Sequence, residues 1–145
     1  MRALGFNYSK ISVEKVPNPA PNSQEGLKIN TNIEVTEISQ VKADVIKTKD
    51  EFLGVRFVYS INYDPDYAKI EFSGDILIEL DPKLLKDVLK EWKDKKMPEE
   101  FRVFVFNVIM RKSNVKALEI EDEMSLPFHI PMPFVTKESV SKKEE

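Results

Sequence analysis

A single histidine is the residue of this sequence best suited to acid–base chemistry. His129 is the only histidine among 145 residues, and cysteine is absent. Thiol catalysis and disulfides are therefore excluded, and a Ser-His-Asp relay would need His129 as its base. His129 lies in a proline-rich segment, and no Gly-x-Ser-x-Gly motif accompanies it. We predict a packing or surface histidine and no catalytic residue, so the chain is not expected to be an enzyme.

The densest group of acidic side chains comprises Glu119, Glu121, Asp122 and Glu123. Carboxylates bind hard cations, but no ligand loop with the expected glycine is present. The four glycines of the chain are scattered and form no phosphate-binding loop. We therefore predict a solvated helix face at this cluster, with no metal and no cofactor.

Composition favours one globular domain. The chain is 41% apolar and 32% charged, with a net charge of −3. An acidic balance argues against a nucleic-acid partner, and we predict that Phe57, Tyr59, Tyr63 and Phe72 are core residues rather than stacking platforms. No signal peptide is evident, and no apolar run approaches the roughly 20 residues of a membrane span. We expect a cytoplasmic protein.

Alternating apolar and polar residues predict four β-strands, at residues 4–16, 27–38, 52–63 and 68–80. The alternation changes phase between Tyr8 and Ile11, which predicts a bulge. A turn signal at 64–67 predicts that the last two strands form a hairpin. Gly74 falls on the apolar face, where a bend or close packing is expected. One face of the sheet is polar, as in an antiparallel sheet with one wet side. Whether the second strand continues through Val41, Val45 and Ile46 stays open.

Helical spacing begins at Asp81-Pro82, an N-cap followed by a suitable first helical residue. We expect about four turns, ending near Lys95-Lys96. The segment 101–110 is apolar on nearly all sides, and its β-branched residues would suit a strand. Because Pro98-Glu99-Glu100 is a helix-start signal, we predict a second helix, which can continue to Glu123.

Three prolines in residues 126–135 exclude a helix and a central strand, so this segment is expected to form an extended, packed arm. Residues 1–135 are then one α+β domain, and residues 136–145 a charged tail expected to be disordered.

The last third of the chain has more apolar side chains than one sheet face requires. They belong either to an ordinary buried helix between layers or to an interface with a client or subunit. The candidate interface residues are Phe101, Phe104, Phe106, Met110, Leu126, Phe128, Ile130, Met132 and Phe134.

The order of elements resembles the SecB-like chaperones, in an archaeal-type form. Local likenesses lie in residues 5–14 with 29–35, in residues 55–63, and in Asn107–Arg111 followed by Leu126–Pro133. The resemblance implies a SecB-like fold, a four-stranded antiparallel sheet followed by C-terminal helices, in a homodimer or homotetramer. It implies an ATP-independent holdase for unfolded or precursor polypeptides.

Two other classes remain open on the residues alone. One is a structural or adaptor subunit of a larger complex, with a single fixed partner. The other is an enzyme or small-ligand carrier with a pocket between sheet and helix, against which the single histidine and absent cysteine count.

Overall fold

The computed structural model describes residues 1–20, 24–42 and 49–138. Its elements are β1 (Arg2–Lys15), β2 (Lys28–Val41), β3 (Glu51–Asp64), β4 (Ala68–Leu80), α1 (Pro82–Trp92) and α2 (Glu99–Glu123). The four strands form one antiparallel sheet in the order β1-β4-β3-β2. The predicted sheet, the β3–β4 hairpin and the C-terminal helices are confirmed. The strands β1 and β2 follow each other in sequence but lie at opposite edges of the sheet.

Both edge strands contain bulges. The pairing of β1 with β4 shifts between Tyr8 and Lys10, which confirms the predicted bulge, and shifts again near the start of the strand. The pairing of β2 with β3 shifts between Val35 and Glu37, a bulge that we did not predict. This shift restores an apolar residue, Ile38, to the face that already carries Ile33 and Val35. The strand β2 does continue to Val41, whereas residues 45 and 46 lie outside the described part of the chain.

The central hairpin provides the core. Odd positions of β3 and even positions of β4 share one face and are almost completely buried; they include Phe57, Tyr59, Tyr63 and Phe72. This confirms the predicted core role of these aromatic residues. On the opposite face, Arg56 forms ion pairs with Glu37 at 3.0 Å and Asp75 at 3.1 Å. That face is therefore polar across three neighbouring strands.

The helix α1 begins as predicted and ends earlier than predicted. The amide of Leu84 donates to Oδ1 of Asp81 at 2.8 Å, which caps the first turn. The helix ends at Trp92 because Lys95 adopts a left-handed backbone with φ 59°. The amide of Lys96 then donates to the Glu91 carbonyl at 3.1 Å, the Schellman pattern that closes a helix. Glycine usually occupies this position, so lysine gave no sequence signal for the stop.

The helix α2 is 25 residues long and covers the apolar face of the sheet. Its most deeply buried residues recur every fourth position, at Phe101, Val105, Ile109, Ser113, Ala117 and Glu121. A strand would bury every second residue, so the strand alternative for 101–110 was wrong. Within the described part of the chain, neither helix is long and apolar enough to cross a membrane. After α2, residues 126–136 contain no helix or strand, as expected for the arm.

Replacing Gly74 by alanine tests the close packing of β4 against β1. A Cβ atom at Gly74 would clash with the carbonyl oxygen of Asn7 and would lie 3.0 Å from two atoms of the Phe57 ring. We expect Gly74→Ala to lower the free energy of unfolding by about 1–3 kcal/mol, as for other overpacked sites. Gly5→Ala is the control, because its Cβ would contact only Leu77 at an ordinary 3.8 Å. Equal urea midpoints for the two variants would contradict the prediction.

Candidate functional site

A groove of about 340 Å³ opens between the edge strand β2, the helix α2 and the arm. Its lining residues are Thr31, Asn32 and Ile33 of β2, Tyr59 of β3, Phe106, Met110 and Asn114 of α2, and His129 and Ile130 of the arm. Three separate parts of the chain therefore meet at one concave surface. Aromatic and aliphatic side chains form much of its wall, and a few polar groups lie among them.

The groove follows from the periodicities of its walls. On β2, Thr31 and Ile33 share the face that carries the other apolar residues of the strand. On α2, Phe106, Met110 and Asn114 repeat at four-residue spacing and lie beside the buried stripe of the same helix. A residue next to the buried stripe is only partly covered, and Met110 keeps 37% of its surface exposed. The wall is thus apolar and accessible.

A buried contact between Glu121 and His129 fixes the start of the arm. The Glu121 residue is fully buried, and the side chain of His129 is 2% exposed. The Nδ1 atom of His129 lies 2.8 Å from Oε2 of Glu121, and the His129 backbone amide donates to Oε1 at 3.1 Å. The Tyr63 hydroxyl lies 3.1 Å from Oε2 and 2.7 Å from the carbonyl oxygen of Pro127. One carboxylate thus connects β3, α2 and the arm.

The second nitrogen of His129 extends this network to the groove. Its Nε2 atom lies 3.0 Å from Oδ1 of Asn114, and the hydroxyl of Tyr59 donates to the same oxygen. An amide oxygen only accepts hydrogen bonds. The Nδ1 atom faces a carboxylate, which also only accepts. The ring of His129 therefore lies between the Glu121 carboxylate on one side and the Asn114 amide on the other.

The position of Glu121 corrects the prediction of a solvated acidic face. Its three neighbours Glu119, Asp122 and Glu123 are exposed as predicted, but Glu121 is buried. It lies at the last position of the stripe that starts at Phe101 and recurs every fourth residue. That spacing was visible in the sequence and was the signal we missed. The packing role of His129 is confirmed.

The two tyrosines of the network are held in the neutral form. Burial, followed by the nearby charge of Glu121, raises the pKa of Tyr59 from 10.0 to about 12. The same two causes raise the pKa of Tyr63 further. Both hydroxyls therefore keep the proton that they donate at neutral pH.

The structure divides the nine candidate interface residues into four groups. Phe106, Met110 and Ile130 line the groove, and Phe104 packs, partly buried, against the core. Phe101 and Leu126 are buried, at 0% and 5% exposure, and belong to the core. The exposed arm residues are Phe128, Met132 and Phe134. Sequence reasoning did not anticipate Ile33, Asn114 or His129 as lining residues, because the β2 edge and the arm are distant in sequence.

Replacing Glu121 by glutamine tests the anchoring of the arm. The change replaces the carboxylate that contacts both the ring and the backbone amide of His129 with a neutral amide. We expect Glu121→Gln to lower the free energy of unfolding by about 3 kcal/mol, as for other broken buried pairs. Glu119→Gln on the same helix is the control, because Glu119 is exposed. This change should alter the free energy of unfolding by less than about 0.5 kcal/mol. Indistinguishable urea unfolding curves would contradict the role of the pair.

Alkaline pH should destabilise the fold through Tyr59 and Tyr63. The unfolded chain releases a tyrosine proton near pH 10, whereas folded Tyr59 keeps its proton to about pH 12. The unfolded state therefore gains stability first, and the free energy of unfolding should fall as pH rises through this window. Urea unfolding at a series of pH values measures the slope. Tyr59→Phe should reduce it, and an unchanged slope would contradict the prediction.

No family model and no curated protein sequence matches this chain. A solved structure is similar to it in fold: the Mycobacterium tuberculosis Rv1957 SecB-like chaperone, in complex with a ChAD peptide from the Rv1956 HigA1 antitoxin. The similarity has a TM-score of 0.50 at 11% sequence identity, and it covers 94% of this chain and 91% of the other. At this identity the similarity concerns the fold alone, and it confirms that the chain has a SecB-like fold.

Proposed function

We propose that this protein is an ATP-independent chaperone that binds non-native or precursor polypeptides in the groove between β2, α2 and the arm. The observation that carries the proposal is the accessible apolar wall of that groove, formed by Ile33, Phe106, Met110 and Ile130. A binding function of this kind requires concave apolar surface and no catalytic group.

The chemistry of the wall suits varied apolar partners. Burial of apolar surface stabilises a complex by about 25 cal/mol per Å², whatever side chain supplies that surface. Methionine is flexible and polarisable, so Met110 can adapt to side chains of different shapes. The aromatic ring of Phe106 adds a large contact area at a small cost in side-chain entropy. Such a wall favours a broad range of polypeptides over one rigid ligand.

The similar fold supports a polypeptide as the occupant. The Mycobacterium tuberculosis protein is described as a SecB-like chaperone in complex with a peptide. We infer the same class of partner for this chain from the shared fold together with its own apolar groove. Membership of an archaeal-type branch and a cytoplasmic location stay predictions from the sequence.

Self-association into a homodimer or homotetramer is part of the proposal. On α2, Val103 and Val115 are 50% and 69% exposed, and on the arm Phe134 is 81% exposed. Apolar side chains this accessible lose unfavourable contact with water when a second subunit covers them. Light scattering at several protein concentrations measures the mass of the assembly.

A double substitution in the groove tests the proposed function. Phe106→Ser with Met110→Ser removes much of the apolar wall. We expect the double variant to suppress the aggregation of several unrelated unfolded proteins at least tenfold more weakly than the wild type. A tenfold loss corresponds to about 1.4 kcal/mol. Met124→Ser is the control, because Met124 has the same 37% exposure as Met110 but follows the end of α2 and does not line the groove. Circular dichroism and thermal unfolding are used to check that the sheet persists in both variants.

Two results would contradict the proposal. The first is protection of unfolded proteins at wild-type strength by the double variant. The second is a wild-type protein that protects none of several clients but forms a stoichiometric complex with one folded partner, as a structural or adaptor subunit would.

A further inference from the structure

We propose that Met110 is a site of reversible oxidation by peroxide, and that conversion of its thioether to the sulfoxide weakens polypeptide binding in the groove. This inference rests on the proposed function of the groove. The chain contains five methionines and no cysteine. Methionine thioethers are therefore its sulfur groups open to mild oxidation.

Of the five methionines, Met1 and Met132 are the most exposed, at 41% and 45%, but the one that lines the groove is Met110. It is 37% exposed and lines the groove together with Phe106, Ile33 and Ile130. Met124 has the same exposure of 37% but follows the end of α2 and does not line the groove. Met97 is partly buried and packs against the core. Peroxide can therefore reach the Met110 side chain, and the reaction would change the surface that a client contacts.

The groove offers a hydrogen-bond donor for the product. Asn114 lies one helical turn after Met110 on the same face, and both residues line the groove. Its amide oxygen accepts from Tyr59 and lies 3.0 Å from Nε2 of His129. Within residues 1–20, 24–42 and 49–138, the amide nitrogen of Asn114 has no hydrogen-bond partner. A sulfoxide oxygen at Met110 is a strong acceptor, and this NH₂ group belongs to the residue one turn further along the same helix face.

The oxidation balances with hydrogen peroxide as the named oxidant. A lone pair of the Met110 sulfur attacks one peroxide oxygen, the O–O bond breaks, and an S–O bond forms. The other oxygen leaves as water, which carries both hydrogens of the peroxide. Sulfur loses two electrons and peroxide gains them. A methionine sulfoxide reductase reverses the change with electrons from a thiol reductant.

The product makes part of the apolar wall polar. A client side chain that packs on Met110 would then have to displace the hydrogen bonds of the sulfoxide, and it would lose contact with a polarisable thioether. We expect oxidation to weaken client binding about tenfold, which corresponds to about 1.4 kcal/mol. The change alters no atom of the sheet or of the Glu121–His129 pair, so both should persist.

The experiment compares the wild-type protein, Met110→Leu and Met124→Leu before and after treatment with hydrogen peroxide. The binding probe is reduced and carboxymethylated α-lactalbumin, which stays unfolded. Mass spectrometry of peptides measures the oxidation rate at Met110 and Met124, and circular dichroism checks the fold. A reductase is added afterwards to restore the thioether.

We expect oxidation at Met110, a loss of binding in the wild-type protein and in Met124→Leu, and recovery after reduction. For Met110→Leu, affinity before and after peroxide should be nearly equal. An equal loss in Met110→Leu and wild type, or a Met110 that stays reduced while Met124 is oxidised, would overturn the inference. Failure of the untreated wild-type protein to bind the probe would instead count against the proposed function, while the oxidation rates would still test the site.

Discussion

The buried hydrogen-bonded pair of Glu121 and His129 is the interaction on which the arrangement of the last third of the chain depends. Several polar groups are withdrawn from water here, and they are stable only when their donors and acceptors are satisfied. Here the tyrosine hydroxyls, an asparagine and the backbone of the arm satisfy them. Among the described residues, no buried side-chain nitrogen or oxygen lacks a hydrogen bond. The geometry is therefore specified by chemistry as well as by apolar packing.

This constraint links the polar network to the proposed binding surface. The arm is fixed where Glu121 receives the His129 amide, and the next residue, Ile130, lines the groove. Asn114 belongs to both the network and the groove. The network thus places one wall of the groove relative to α2 and β2. A site that binds varied partners still benefits from a fixed frame, because a disordered wall would have to be ordered at each binding event.

Periodicity explains what the sequence could predict. Alternation located the four strands, the change of phase in β1 located a bulge, and Asp81-Pro82 located the start of α1. Each of these signals is local. The stop of α1 was missed because a left-handed lysine replaces the usual glycine, and the burial of Glu121 was missed because an acidic residue was judged by its type rather than by its place in a stripe.

The groove was predictable only in part. Phe106, Met110 and Ile130 were expected at an interface because of their apolar surplus. Their partners on β2 depend on the order of strands in the sheet, which places β2 rather than β1 beside β3. Alternation within a strand carries no information about its neighbours. The pairing of His129 with Glu121 likewise depends on the turn after α2, where Ser125 adopts a positive φ of 52°.

The prolines of the arm have a consequence for solubility. An extended apolar segment near an exposed sheet edge is a common starting point for fibril formation, because each added chain offers the same unpaired edge to the next. Pro131 and Pro133 have no N–H group, and they flank Met132 in the exposed part of the arm. This stretch cannot supply the regular ladder of donors that a growing fibril requires. The arm can therefore stay apolar and exposed without promoting fibril formation.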